Sequence, residues 1–373
     1  MFHYHNRSTA LAAVIGATLA AGTWPAVADV KVYGKVHMSV DYLDAKGTGT
    51  GGDATSRRNT YVSSNSSRWG LDVSEKLGSG LTAIAKLESE LDASGETASQ
   101  NTRNRYVGMK GSFGTLLAGV YDTPFKTIHN AVGFFEDQVG DFRNIASGSD
   151  QGNGTRGWDL RVPNAIAYQS PDLNGFSAAY VHSADAVAST AVEDNRQRTD
   201  SIGLSFTQGP LYVAYGHESH RYNSIADGGQ PAETGQRLAV SYNFGAFKVA
   251  ALLQDLKDLG GTLSGGTSVN RKGWTLGGAY TTGNNVFKLQ YTKTDSLSNT
   301  SIGASADNTG ATLWAIGWEH LFSKTTRVYS NYAKTDNESA AAFKASGTGH
   351  GDSVTPATGL DPQVWSVGMI VDF

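Results

Sequence analysis

The run Val30-Lys31-Val32-Tyr33-Gly34-Lys35-Val36-His37-Met38-Ser39-Val40-Asp41-Tyr42 sets the pattern whose repetition decides the fold class. Val30, Val32, Gly34, Val36, Met38, Val40 and Tyr42 occupy one parity, and Lys31, Tyr33, Lys35, His37, Ser39 and Asp41 the other. Successive side chains of a strand point to opposite faces, so this segment is a ribbon with one apolar and one polar side. A soluble sandwich also contains such strands, so one run decides little. Its repetition decides more.

The same period returns along the chain. Leu81, Ala83, Ala85 and Leu87 oppose Thr82, Lys86, Glu88 and Glu90. Further stripes are Phe176/Ala178/Tyr180, Ile202/Leu204/Phe206, Leu211/Val213/Tyr215 and Leu238/Val240/Tyr242. Phe247/Val249/Ala251/Leu253, Trp274/Leu276/Tyr280, Phe287/Leu289/Tyr291 and Trp314/Ile316/Trp318 follow. Aromatic residues recur near the stripe ends, as girdles at two membrane interfaces require. Short connections, such as Gly111-Ser112-Phe113-Gly114, Gln208-Gly209-Pro210 and Gly283-Asn284, alternate with long polar ones near 44–59, 92–102, 122–160, 183–198, 219–234, 256–270, 295–310 and 335–362. Short turns on one side and long loops on the other predict an all-β, transmembrane antiparallel β-barrel of about 16 strands, with periplasmic turns and extracellular loops. At that strand number a barrel encloses water instead of filling itself with side chains. A soluble sandwich or propeller does not predict the alternation of loop length.

Composition agrees. The 373 residues include 45 Gly, 8 Pro and no Cys, with a mean hydropathy of −0.31. After the first 28 residues no stretch is long and apolar enough for a helical span, which needs about 20 residues. Low mean hydropathy is compatible with a membrane barrel, because half of each strand faces water. Residues 1–28 read as a secretory signal peptide, with Arg7 as positive charge, a small apolar core from Ala10 to Ala21 and an Ala26-Val27-Ala28 cleavage site. The barrel domain is then 29–373. The full chain carries −4, and the leader holds one Arg and no acid, leaving −5 for 29–373. That charge is too weak and scattered for nucleic-acid binding. An exported chain without Cys has no disulfide, thiolate zinc or thiol chemistry. At the other end Trp365, Val367, Met369, Val371 and Phe373 share one face and Ser366, Gly368, Ile370 and Asp372 the other, a strand expected to close on the first.

Several segments resemble the general diffusion porins of Gram-negative bacteria: Val32-Tyr33-Gly34-Lys35, Ser67-Arg68-Trp69-Gly70-Leu71, Arg103 through Gly111, Gly119 through Lys126, and Val371-Asp372-Phe373. The resemblance implies a third loop folded into the lumen and a basic wall of Lys35, Arg68, Arg103 and Arg161 facing it. Arg105 is an additional candidate. Glu136, Asp137 and Asp141 are assigned to the acidic loop, although the family's Pro-Glu-Phe-Gly-Gly stretch is replaced here by Gly133-Phe134-Phe135-Glu136-Asp137. Val162, Ile166 and Tyr168 are expected to point outward from the strand that Arg161 begins. The resemblance further implies a homotrimer in the outer membrane, in contact with lipid and lipopolysaccharide, passing ions and small hydrophilic solutes without a cofactor.

Opposed charges in a low-dielectric aperture focus field lines and favour polar solutes; the plain alternative is that a wide barrel needs polar lumen residues. An enzyme is not expected. No G-x-S-x-G occurs, the His residues scatter, and His217 and His220 lie on or beside a strand. No acid series suits a Ca²⁺ loop or another metal site. The other readings are a substrate-selective channel, in which Phe134-Phe135 could form an aromatic slide although packing of the third loop against the barrel wall is the favoured role for that pair, and an adhesin that recognises a partner through its loops.

Overall fold

The structure is a computed structural model describing residues 28–47, 57–95, 102–146, 158–184, 197–222, 232–259, 269–299, 307–346, 350 and 356–373. All of the leader except Ala28 lies outside the described residues. The strands are β1 (Asp29–Gly47), β2 (Arg57–Ser64), β3 (Arg68–Gly78), β4 (Leu81–Glu90), β5 (Thr102–Gly111), β6 (Gly114–Asp122), β7 (Arg161–Gln169), β8 (Phe176–Ser183) and β9 (Gln197–Gln208). They continue as β10 (Leu211–Tyr222), β11 (Glu233–Phe244), β12 (Phe247–Lys257), β13 (Val269–Thr282), β14 (Asn285–Thr294), β15 (Ser298–Asn299), β16 (Ala311–Leu321), β17 (Thr326–Asn337) and β18 (Leu360–Asp372). Three short helical turns, α1 (Pro124–Thr127), a 3₁₀ turn (Ile128–Ala131) and α2 (Arg143–Ala146), lie between β6 and β7.

These runs build sixteen staves. β2 and β3 pair with the upper and lower parts of β1, so together they form one stave, interrupted at 65–67. β15 is a two-residue ladder beside β13. All pairings are antiparallel, and β1 closes on β18 from Lys35↔Asp372 to Gly47↔Leu360. Closure gives every stave two neighbours and removes the sheet edges, a requirement in lipid, where unpaired backbone groups cost several kcal/mol each. No helix among the described residues is long and apolar enough to cross a membrane, which says nothing about crossing by strands.

Alternation sorts the side chains as the sequence predicts. Val32, Val40, Val107, Ile166, Leu204, Leu253, Leu276, Leu289, Ile316 and Val367 are exposed on the outer surface. Aromatic rings bracket this band. Phe176–Phe206, Tyr242–Phe244 and Phe247–Tyr280 pair toward the short-turn end, and Trp274–Tyr291, Trp314–Tyr332 and Tyr332–Trp365 toward the long-loop end. Tyr and Trp bodies favour the interface between hydrocarbon and headgroups, so two such belts fix the barrel's depth.

Of three register shifts among the described strands, one lies at the end of β3 between Lys76 and Gly78, and the other two each overturn an expectation. Between Leu87 and Ser89 the β4–β5 register shifts, so Arg105 opposes the outward Leu87 and donates to the Glu88 carbonyl and Ser89 Oγ, away from the face of Arg103. Between Gly119 and Tyr121 the β6–β7 register shifts, with Asn164 at a φ of 51°. Val162 is consequently buried beside Leu117, Ala165 and Val181, while Ile166 and Tyr168 do point outward.

Candidate functional site

The third loop leaves β6 at Asp122. Thr123 caps α1, its Oγ1 accepting from Lys126 N at 3.3 Å, and Pro124 occupies the first helical position, where its missing N–H costs nothing. The loop is seated inside the barrel by glycines on the inward parity of five staves, β9, β10, β11, β13 and β16. A side chain at Gly203 would meet Pro124, at Gly216 Ile128, at Gly235 Trp158, at Gly277 Phe134 and at Gly317 Phe135. Phe135 is fully buried there among Val139, Ile145, Leu313 and Ala315. Phe134 packs half-buried beside Gly277, so this aromatic pair holds the loop to the wall instead of forming a slide.

A second loop reinforces the first. Residues 340–346, between β17 and β18, turn inward, and Ala341, Phe343 and Ala345 join the same apolar cluster. Gly140 N donates to Ala345 O at 2.8 Å, and Val139 bridges to Ser346. Both loops thus pack on the β13–β18 side, joined by Lys288 and Asn331, which donate to Gln138 Oε1 at 3.0 and 2.7 Å. Across from them lies a cavity of about 520 Å³, lined by Arg68, Glu88, Arg103, Asp122 and Arg161 on the wall and by Lys126, Glu136 and Asp137 on the loop.

The charges are interleaved. Lys35 Nζ lies 2.9 Å from Asp137 Oδ2, joining β1 to the loop, and Arg68 reaches the same oxygen at 3.8 Å. Arg103 Nε binds Glu88 Oε1 at 2.5 Å, while Tyr33 donates to the other Glu88 oxygen at 2.8 Å. Arg161 Nε and Lys126 Nζ share Asp122 at 3.1 and 2.7 Å, and Asn104 donates to it at 2.9 Å. The wall expected to be basic therefore carries its own acids, Glu88 and Asp122. Each of these cations has a counter-charge within 4 Å that holds it in place.

The three loop acids separate by role. Glu136 is about half exposed and lines the cavity. Asp137, at a φ of 57°, is the acid that meets the wall. Asp141 does not reach the aperture. It is buried, takes the Arg143 guanidinium on both oxygens, and accepts the backbone N–H of Asp137. Its work is to fold the turn. Arg143 also binds Asp137 Oδ1 at 3.1 Å and so fixes that carboxylate from behind. Burial alone would push the Asp137 carboxyl up, but Lys35, Arg143 and Arg68 outweigh it and hold the group well below the usual carboxylate range. Burial pulls the Lys126 ammonium down, opposed by Asp122.

Sequence reasoning missed Glu88, Asp122, Lys126 and Arg143 as members of this site. Strand parity could have found Glu88, which shares the inward face of Lys86; the loop residues carry no periodic signal. On the far wall, Trp158 stacks on His220, which lies between Glu218 and Glu233 at 2.9 and 3.2 Å, and Arg237 binds Asp159 at 2.5 Å. These contacts pin the returning end of the loop. His217 is on the opposite parity of β10, so the two histidines do not converge.

Comparisons with known proteins agree with this geometry. A family model described as Gram-negative porin matches residues 8–340. Outer membrane porin protein 32 of Delftia acidovorans is 29% identical over 336 residues, covering 87% of this chain and 88% of the relative. Major outer membrane protein P.IB of Neisseria gonorrhoeae is 27% identical, covering 84% and 90%. Among solved structures, an anion-selective porin from Comamonas acidovorans superposes with a TM-score of 0.74 at 24% identity, covering 93% of this chain and all of that one. The trimer form of OmpT from Vibrio cholerae superposes with a TM-score of 0.65 at 16% identity, again covering 93% and 100%.

Proposed function

The chain belongs to the Gram-negative porin family, an outer-membrane channel for passive diffusion of solutes, and on that footing we propose that the passage between the third loop and the β1–β7 wall sorts what passes. Lys35, Arg68, Arg103 and Arg161 supply the positive side, and Glu136 and Asp137 the negative side. The observation that carries this reading is a cavity shared by the wall arginines Arg68, Arg103 and Arg161 and the loop acids Glu136 and Asp137. Fixed charges there act through a low-dielectric constriction, where screening is weaker than in bulk water, and they order water and orient polar solutes. Flow follows the concentration gradient, with no turnover and no cofactor. Three copies assemble, each with its own pore, a reading supported by the likeness to a porin solved in trimer form. Residues 1–28 are removed on export, leaving Asp29 at the mature N-terminus, and the barrel's outer surface contacts outer-membrane lipid and lipopolysaccharide.

Reversal potential in a salt gradient across planar bilayers tests the site. Arg68→Ala and Arg103→Ala each remove a positive charge from the aperture and are expected to shift the potential toward cation preference. An unchanged potential in both variants would take these residues out of the constriction.

A further inference from the structure

The outer surface at the long-loop end carries an arrangement that diffusion does not use. Arg198 on β9 and Arg221 on β10 are register partners, and both are exposed. Thr199 and Ser201, and Glu218 and His220, are buried toward the lumen, so alternation sends the two arginines outward, onto the face of Ile202, Leu204 and Tyr215. Like charges directly opposite on paired strands destabilise the pair. Among the described residues neither guanidinium forms an ion pair within 4.0 Å, although the Asp200 carboxylate on the same outward face is near enough to Arg221 to attract it at longer range. Asp200, two residues from Arg198, is already engaged by Tyr180 Oη at 2.6 Å and His182 Nδ1 at 2.8 Å.

The rows toward the membrane are graded. The register aligns Leu204, Tyr215, Leu238, Leu253 and Trp274 across β9 to β13, all exposed and apolar or aromatic. One step nearer the long loops, the row becomes Ile202, His217, Gln236, Asp255 and Lys272. A groove of about 410 Å³ runs over Tyr215, Leu238, Leu253 and Trp274, its upper edge carrying Lys272 together with Asp255 and Asp295. The surface is thus apolar below, polar above, and doubly cationic at the top of β9–β10.

We propose that this patch seats a phosphorylated lipid of the outer leaflet, its acyl chains on the apolar rows and its phosphate bridging Arg198 and Arg221. Two guanidinium forks converging on one tetra-oxygen anion turn a repulsive pair into an attractive one. The acyl chains distinguish the ligand from a soluble anion, because the graded rows below have no role in holding free phosphate. The assignment rests on the membrane reading of the barrel, with the long loops outward.

Native mass spectrometry of the purified full-length protein in detergent, titrated with diphosphoryl lipid A and with its dephosphorylated counterpart, tests it. The unaltered protein is expected to prefer the phosphorylated lipid at least tenfold, and the Arg198→Gln/Arg221→Gln variant to lose that preference. Single-channel conductance of the variant should be unchanged, which separates this site from the pore. Equal affinity for the two lipids on the unaltered protein overturns the proposal whether or not the variant folds. So does a preference that survives in the folded variant. Competition by millimolar inorganic phosphate that abolishes lipid binding altogether would make the pair a simple anion site and equally sink the lipid assignment.

Discussion

Asp137 carries the tightest arithmetic of the site, because one carboxylate faces Lys35, Arg68 and Arg143 together. Removing one member of a buried, hydrogen-bonded ion pair costs about 3–5 kcal/mol, chiefly by leaving the other charges uncompensated. Asp137→Ala is therefore expected to destabilise the seated loop by up to that amount and, with Lys35 and Arg68 released, to move the reversal potential toward anions. The pH dependence has a definite sign. A carboxyl held below its ordinary value contributes stability that is complete above the unfolded pKa, about 3.9, and is lost only as pH falls further. Conductance and reversal potential should accordingly keep their Asp137-dependent part from pH 7 to about pH 4.5. A loss of that part near pH 6 would show that the carboxylate is not held by these cations. At this scale the sequence was legible wherever parity ran unbroken. Lys35 and Arg68 could be placed inward from the pattern alone, whereas Arg105 could not, because the extra residue of a bulge leaves no mark in composition. Asp141 was unreadable for another reason: its partner Arg143 is two residues away in an aperiodic loop, where sequence proximity says nothing about which acid turns to the lumen.

Among the elements, the third loop is held by shape more than by charge. Gly203, Gly216, Gly235, Gly277 and Gly317 are each the place on the inner wall where a loop side chain sits at contact distance. A Cβ at Gly216 would lie 2.6 Å from Ile128 Cδ1 and 3.3 Å from Phe125 Cα, the latter backbone that cannot swing aside. Gly216→Val is expected to lift α1 from β10, visible as a changed single-channel conductance with added current noise, in a barrel that still folds. Conductance identical to the unaltered protein would mean that the loop is not seated there. Phe135→Ala attacks the same seat from the other side. Emptying a fully buried aromatic site costs about 3–5 kcal/mol, so the loop should become protease-sensitive at concentrations that leave the unaltered protein intact. The glycine row was present in the sequence, since an inward-parity Gly recurs on β9, β10, β11, β13 and β16, but its meaning needs a partner from a loop 77 to 182 residues away. The inward turn of 340–346 was likewise invisible, because Ala341, Phe343 and Ala345 look like any short apolar alternation until Phe135 and Val139 are placed beside them.

For the whole molecule, the decisive quantity is which solvent each face meets. Leu289 on β14 points outward in mid-stave between Phe287 and Tyr291, while Lys288 and Gln290, its immediate neighbours, are buried inward against the third loop. A soluble protein with this sheet would bury Leu289 and solvate Lys288. The barrel inverts that preference, and the alternation of the sequence encoded the inversion before any coordinates, since closure forces every stave to present one parity to lipid. Charge on the lipid face costs about 2–4 kcal/mol near the bilayer midplane and little at the interfaces. Leu289→Arg should therefore lower the stability of the vesicle-inserted protein by an amount in that range, measured by denaturant titration, while the same substitution at Phe322, beside the turn from β16 to β17, should cost under about 1 kcal/mol. The difference between the two positions carries the test, because general damage to folding would lower both alike, whereas only a hydrocarbon slab centred between the aromatic belts penalises one and spares the other.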